Sequence, residues 1–281
     1  MSVRTMTTFR ERLDGAVAAN GSLLCIGLDP EAAKLPAALR SLPVEEALGT
    51  FLHGIIAATA DLVCCYKPNL AFYLAHGAAG WNVLLGLRET IPAHIPILLD
   101  AKYGDIGSTA EMYARSAFDV VRADAVTVSP YVGGDALAPF FARDDRAAFV
   151  LCKTSNPGSG DLQDVPLASG EAVSLRIAAR IRDWGAARSN VGAVVGATYP
   201  AELAAIRAAI PAAPILVPGI GAQGGDLEGA VRAGMDSHGA GILVSASRSV
   251  LYASAGDDYA DAARAEAVRL RDAINAARQS S

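Results

Sequence analysis

Eight short apolar runs punctuate the chain, at 22–28, 62–66, 95–99, 125–129, 147–152, 191–197, 214–217 and 241–244. Each has about the length of a strand, and several are rich in Val and Ile. Near-continuous apolarity is what a parallel strand covered on both faces requires. Alanine-rich segments of helical periodicity lie between the runs, such as 172–182 and 201–209, and 259–278 reads as an amphipathic helix. Alternating strands and helices predict an α/β protein with a parallel sheet. Eight such units in 281 residues predict a (β/α)8 TIM barrel, one domain over 1–281, with a doubly wound open sheet as the alternative. The irregular stretch 154–169, after the fifth run, is long for a βα loop and reads as a lid.

Polar residues gather where the runs end: Asp29, Lys67-Pro68-Asn69, Asp100-Ala101-Lys102, Lys153-Thr154-Ser155-Asn156, Pro218-Gly219-Ile220-Gly221 and Ser245-Ala246-Ser247-Arg248. In a barrel these C-terminal strand ends meet at one catalytic face. Strand ends approaching water account for one or two of them, but poorly for a set holding Asp29, Lys67, Asp100 and Lys102. In the sequence LLDAKYGDIGSTA, residues 98–110, strand alternation puts Asp100 and Lys102 on one side, with Asp105 beyond them in a loop. Two lysines and two aspartates at close range hold one another ionised, and a protonated Lys102 so placed is a general acid. A structural ion-pair network in the barrel mouth remains the alternative. A cation site does not fit, because a lysine would stand among the ligands.

Composition narrows the chemistry. A net charge of −5 argues against general nucleic-acid binding, though not against a small anion in a local basic pocket. No run of 18 apolar residues occurs, so no membrane span is expected, and 1–14 lacks a signal-like apolar stretch, which predicts a cytoplasmic protein. Cys25, Cys64, Cys65 and Cys152 all sit in apolar runs, as buried inert thiols do, and no two histidines stand at metal-ligand spacing. Only four of the 24 basic residues are lysine, and three of those, Lys67, Lys102 and Lys153, end apolar runs. A lysine can release a proton where an arginine cannot.

A second motif, VPGIGAQGGD at 217–226, contains G-x-G-x-x-G. It follows the seventh run, and Ser245-Ala246-Ser247-Arg248 stands where a dinucleotide fold would carry a ribose-gripping acid. A glycine loop after strand 7 with an arginine after strand 8 instead matches the phosphate site of a (β/α)8 barrel, and two plain tight turns are the alternative. The third motif, TSNPGSGDLQ at 154–163, offers hydroxyl and amide groups to a heterocycle or forms an ordinary surface loop.

Together these residues resemble the orotidine 5'-phosphate decarboxylase family, in its longer bacterial (type 2) subgroup. Its D-x-K-x-x-D-I-x-x-T signature reads Asp100-Ala101-Lys102-Tyr103-Gly104-Asp105-Ile106-Gly107-Ser108-Thr109 here, and GLDP (27–30), YKPNLAFY (66–73), TSNPG (154–158), PGIGAQGGD (218–226) and SRS (247–249) fall in the family's order. Position 103 is tyrosine where arginine or another variable residue is expected, on the side of the strand away from the charges. The resemblance implies decarboxylation of orotidine 5'-monophosphate to uridine 5'-monophosphate and carbon dioxide, the last step of de novo UMP synthesis, with no metal and no organic cofactor. It implies that Lys102 stabilises and protonates the carbanion at C6, and that Asp100 sits beside the departing carboxylate. Asp29 and Lys67 would bind the ribose, with Lys67 also ordering the charges. Ser155 would bind the pyrimidine, Gln223 and Gly224 would lie between base and phosphate, and Arg248 would grip the phosphate. Asp105 and Thr109 would reach into the partner's site in a homodimer with shared active sites, and Ile106 would be a further substrate-binding residue.

Other chemistries fit less well. A magnesium-dependent sugar-phosphate decarboxylase on the same barrel, such as a 3-keto-gulonate 6-phosphate decarboxylase, would not want Lys67 among its ligands. A Schiff-base aldolase needs a lysine of depressed pKa, which neighbouring carboxylates oppose. A non-catalytic nucleotide-binding protein would have no use for Asp100, Lys102 and Asp105.

Overall fold

The eight expected strands form one parallel sheet. A computed structural model describes residues 7–220 and 226–279. The strands are β1 (Leu24–Leu28), β2 (Cys65–Pro68), β3 (Leu98–Tyr103), β4 (Ala125–Val128), β5 (Ala147–Lys153), β6 (Val191–Val195), β7 (Ile215–Pro218) and β8 (Ile242–Ala246). Their hydrogen-bonded order is β2-β1-β8-β7-β6-β5-β4-β3. The ends of that series meet through isolated parallel bridges, Tyr66 to Ile97 and Asn69 to Asp100, which close a (β/α)8 barrel at its thinnest seam. The helices Val173–Gly185, Pro200–Ala209 and Tyr259–Gln279 stand close to where the periodicity put them. Among the described residues no helix is long and apolar enough to cross a membrane.

The second and third runs misplace their strands. Leu62, Val63 and Cys64 are buried but precede β2, and β3 continues through the charged Asp100-Ala101-Lys102. Apolarity marks burial, whereas these strands run on into the polar mouth of the barrel. The inward column shows the change of character. It runs Cys25, Gly27, Asp29 along and just past β1, Cys65, Lys67, Asn69 along and just past β2, and Leu243, Ser245, Ser247 along and just past β8. The lower members pack with Leu98, Ala125, Phe149 and Leu216 in an inner core, while the upper ones open on a cavity.

The helix Phe9–Asn20 seals the bottom. Thr8 and Glu11 form a reciprocal capping box at its start, and Gly21, at φ 55°, ends it. Phe9 meets Phe149 edge to face at 5.8 Å. Beside this plug the buried Asp124 receives Arg12 at 2.8 Å, Arg88 at 3.2 Å and Arg146 at 3.8 Å, and accepts the Ile97 amide at 2.8 Å. Removing the shared anion leaves three guanidiniums crowded together. Asp124→Ala is therefore expected to lower unfolding stability by about 3–5 kcal/mol in a urea melt, with the site's ligand affinity retained in dilute buffer. All four cysteines are free and buried, and burial pushes the Cys152 thiol up to about 12.

Candidate active site

The upper ends of the strands enclose a cavity of about 580 Å³, lined among others by Asp29, Lys67, Asp100, Lys102, Ser155 and Arg248. Six sequence-chosen residues thus meet in one place. Asp100 is the hub. Its Oδ1 takes Lys102 Nζ at 2.6 Å and the Thr127 hydroxyl at 2.8 Å, and its Oδ2 faces Lys67 Nζ at 3.5 Å and the Asn69 amide at 3.4 Å. Lys67 also lies 3.9 Å from Asp29, whose other oxygen accepts the backbone N–H of Asn69 at 3.0 Å.

Burial shapes the electrostatics first. It drives the Asp100 carboxyl up, but Lys67 and Lys102, with the Lys102 and Thr127 hydrogen bonds, more than reverse this and hold it below its ordinary 3.8. Burial likewise opposes charge on Lys67, and the Asp29 and Asp100 carboxylates overcome it to raise its pKa. The signs set the pH window. The stability Asp100 contributes is present above its ordinary pKa and is lost only as pH falls below it. That from Lys67 is present below 10.5 and lost only as pH rises beyond it. Asp100 and Lys67 are both ionised throughout the neutral range.

Simple alternation does not bring Asp100 and Lys102 together. The β3–β4 register shifts between Leu99 and Tyr103, and Lys102 sits in the left-handed region at φ 51°. A bulge re-aims its side chain. Thr127, on β4, repairs the broken ladder: its hydroxyl oxygen accepts the amides of Ala101 at 3.0 Å and Lys102 at 2.9 Å. With both of those neighbours donors, the hydroxyl proton is left for Asp100, so one side chain fixes the bulge and orients the hub carboxylate. Tyr103 points outward, stacked on Tyr113 at 4.4 Å.

Residues from the ends of β7 and β8 and from the stretch after β5 line the same cavity. Ser247 and Arg248 follow β8, beside Pro218 at the end of β7 and Gly219 just past it. A Cβ on Gly27 would stand 1.8 Å from the Ser247 hydroxyl, so the glycine of GLDP makes room for that residue. Gln223 and Gly224 lie outside the described residues. Asp105, Ile106 and Thr109 do not line this chain's cavity. The Asp105 carboxylate accepts the Ile106 amide at 2.8 Å, and Ile106 is 65% exposed. Asn69 and Thr127 are contributors that the sequence did not single out. Asn69 is also the N-cap of the short helix Leu70–Leu74, the ordinary reason for an asparagine there.

Comparison with known proteins agrees with this geometry. Residues 22–265 match the model of the orotidine 5'-phosphate decarboxylase / HUMPS family. The orotidine 5'-phosphate decarboxylase of Thermomicrobium roseum is 53% identical over 273 residues, 97% of this chain and 96% of that one. That of Roseiflexus castenholzii is 57% identical over 270 residues, 96% and 98% of the two chains. The solved structure of Leishmania donovani OMP decarboxylase superposes with a TM-score of 0.85 at 39% identity, covering 98% of this chain and all of that one. A matching family model over most of the length, relatives above half identity and a barrel of the same shape leave one conclusion: the chain belongs to the orotidine 5'-phosphate decarboxylase / HUMPS family.

Proposed function

We propose that the cavity takes orotidine 5'-monophosphate and releases uridine 5'-monophosphate and carbon dioxide, so that the chain is an orotidine 5'-phosphate decarboxylase of pyrimidine biosynthesis. The observation that carries this reading is the Lys67–Asp100–Lys102 series, running from the buried Lys67 to the half-exposed Lys102, which faces a cavity with Arg248 on its rim. In the reaction the C6–carboxyl bond breaks, carbon dioxide departs and the electron pair stays on C6. The Lys102 ammonium stabilises that developing charge and then gives C6 a proton, which it regains from solvent. A fixed cation in a partly desolvated site offers the electrostatic stabilisation that a carbanion needs. Asp100 sits beside the departing carboxylate in this reading and holds Lys102 in place. Asp29 and Lys67 take the ribose hydroxyls, Ser155 the pyrimidine edge, Gln223 and Gly224 the span from base to phosphate, and Arg248 the phosphate through its planar fork.

Asp105, Ile106 and Thr109 serve the neighbouring subunit of a homodimer in this reading. Ile106, Met112 and Tyr131 are 65%, 54% and 88% exposed, apolar surface suited to burial against a second copy. The same reading places the enzyme in the cytoplasm with its nucleotide substrate, as one domain spanning 1–281. The test is direct. Protein treated with a chelator should consume orotidine 5'-monophosphate, followed as loss of its ultraviolet absorbance. Folded protein that leaves the nucleotide untouched would overturn the assignment.

A further inference from the structure

Lys153, the last residue of β5, takes no part in the chemistry above. Its side chain has no exposed surface, yet it does not line the cavity. The β5–β6 register shifts between Leu151 and Lys153, a bulge that turns the lysine aside while Leu151 still faces the cavity. Its Nζ donates to both carboxylate oxygens of Asp164 at 2.7 Å and to the Ser159 hydroxyl at 2.9 Å, and it lies 4.5 Å from the centre of the Tyr199 ring. An ammonium has three donors, and all three are used.

The segment it reaches, 154–172, has almost no apolar anchorage. Ser159 is its one buried residue, while Leu162 and Val165 are left largely in water. Polar contacts hold its first part instead. Gln163 closes on Thr154, accepting the backbone N–H at 2.8 Å and donating to the hydroxyl at 2.9 Å. This arm brings Ser155, Asn156 and Gln163 to the cavity. From the other side, Gly196 donates its amide to the Lys153 carbonyl at 2.7 Å, and a Cβ there would come within 2.8 Å of Ser155 Cα. Ser155 is thus seated against bare backbone at the end of β6, with the arm folded over it.

Burying a lysine ammonium for an ion pair is a poor way to gain stability, since an apolar residue of similar volume commonly does as well or better. What such a pair supplies is a fixed geometry. We propose that Lys153 is a positioning residue: through Asp164 and Ser159 it holds the 154–164 arm against β5, so that Ser155 and Gln163 face the base of the bound nucleotide. This rests on the function proposed above.

The test compares two ligands that share the phosphate and ribose and differ in the base, uridine 5'-monophosphate and ribose 5-phosphate. Lys153→Met keeps the apolar stem and returns the half-exposed Asp164 to water, so the fold should survive. Asp164→Asn is the second variant, and its amide oxygen still accepts from Nζ. Each should weaken calorimetric binding of uridine 5'-monophosphate about ten-fold, the scale of one lost charge-assisted hydrogen bond, with ribose 5-phosphate unaffected. Combining the two substitutions should add little to either alone, as expected of partners in one contact. Equal losses for both ligands, or none, in folded variants would overturn the positioning role. Wild-type protein that binds no uridine 5'-monophosphate would overturn the functional reading and this proposal with it.

Discussion

Lys102→Ala is expected to lose turnover by at least about 10⁴-fold while uridine 5'-monophosphate still binds. The large effect follows from two roles held by one atom. In the proposed mechanism Lys102 Nζ is the cation that faces the developing charge, and it supplies the proton that replaces the lost carboxylate. Its side chain is 48% exposed, and its ion-pair partner Asp100 keeps Lys67, Thr127 and Asn69 when it is gone. The fold therefore has little to lose, and Arg248, the proposed phosphate grip in the same cavity, is left intact. Single-turnover absorbance decay and calorimetric binding of the product check the two halves separately. Activity retained within ten-fold of wild type would remove Lys102 as proton donor and leave the array a structural ion-pair network.

The second large effect concerns Asp105. Asp105→Ala alone and Lys102→Ala alone should both be nearly inactive, yet an equimolar mixture, unfolded and refolded together, should recover about a quarter of wild-type activity. The arithmetic is that of a two-fold dimer with shared sites. Half the dimers are mixed, and each mixed dimer holds one site with both residues intact. The structure motivates the test: Asp105 stays outside its own chain's cavity, beside the exposed Ile106. Native mass spectrometry establishes that mixed dimers form. Mixed dimers without recovered turnover would assign Asp105 to its own chain.

Much of the site was legible because charge at the end of an apolar strand is costly. Asp29, Lys67, Asp100 and Lys102 each break such a run, and all four meet in the cavity. Thr127 escaped notice because a threonine between two valines is what any strand accepts, and its work depends on a bulge in the neighbouring strand. Lys153 looked like a fifth charged group of the same kind as Lys102. Only the shifted register shows that it serves the loop and not the cavity. The barrel itself was legible in the count of runs, but β2 began three residues later than its run, because apolarity reports burial and not hydrogen bonding.

Lys102 occupies a backbone conformation, φ 51°, that costs an L residue about 1–2 kcal/mol and glycine almost nothing. Natural or laboratory selection that rewards folding alone would therefore favour Lys102→Gly, a sturdier molecule with no proton to give. Any campaign to make this enzyme heat-resistant has to score catalysis at every round, for this backbone-relieving change in β3 is also the one that would remove the proposed proton donor.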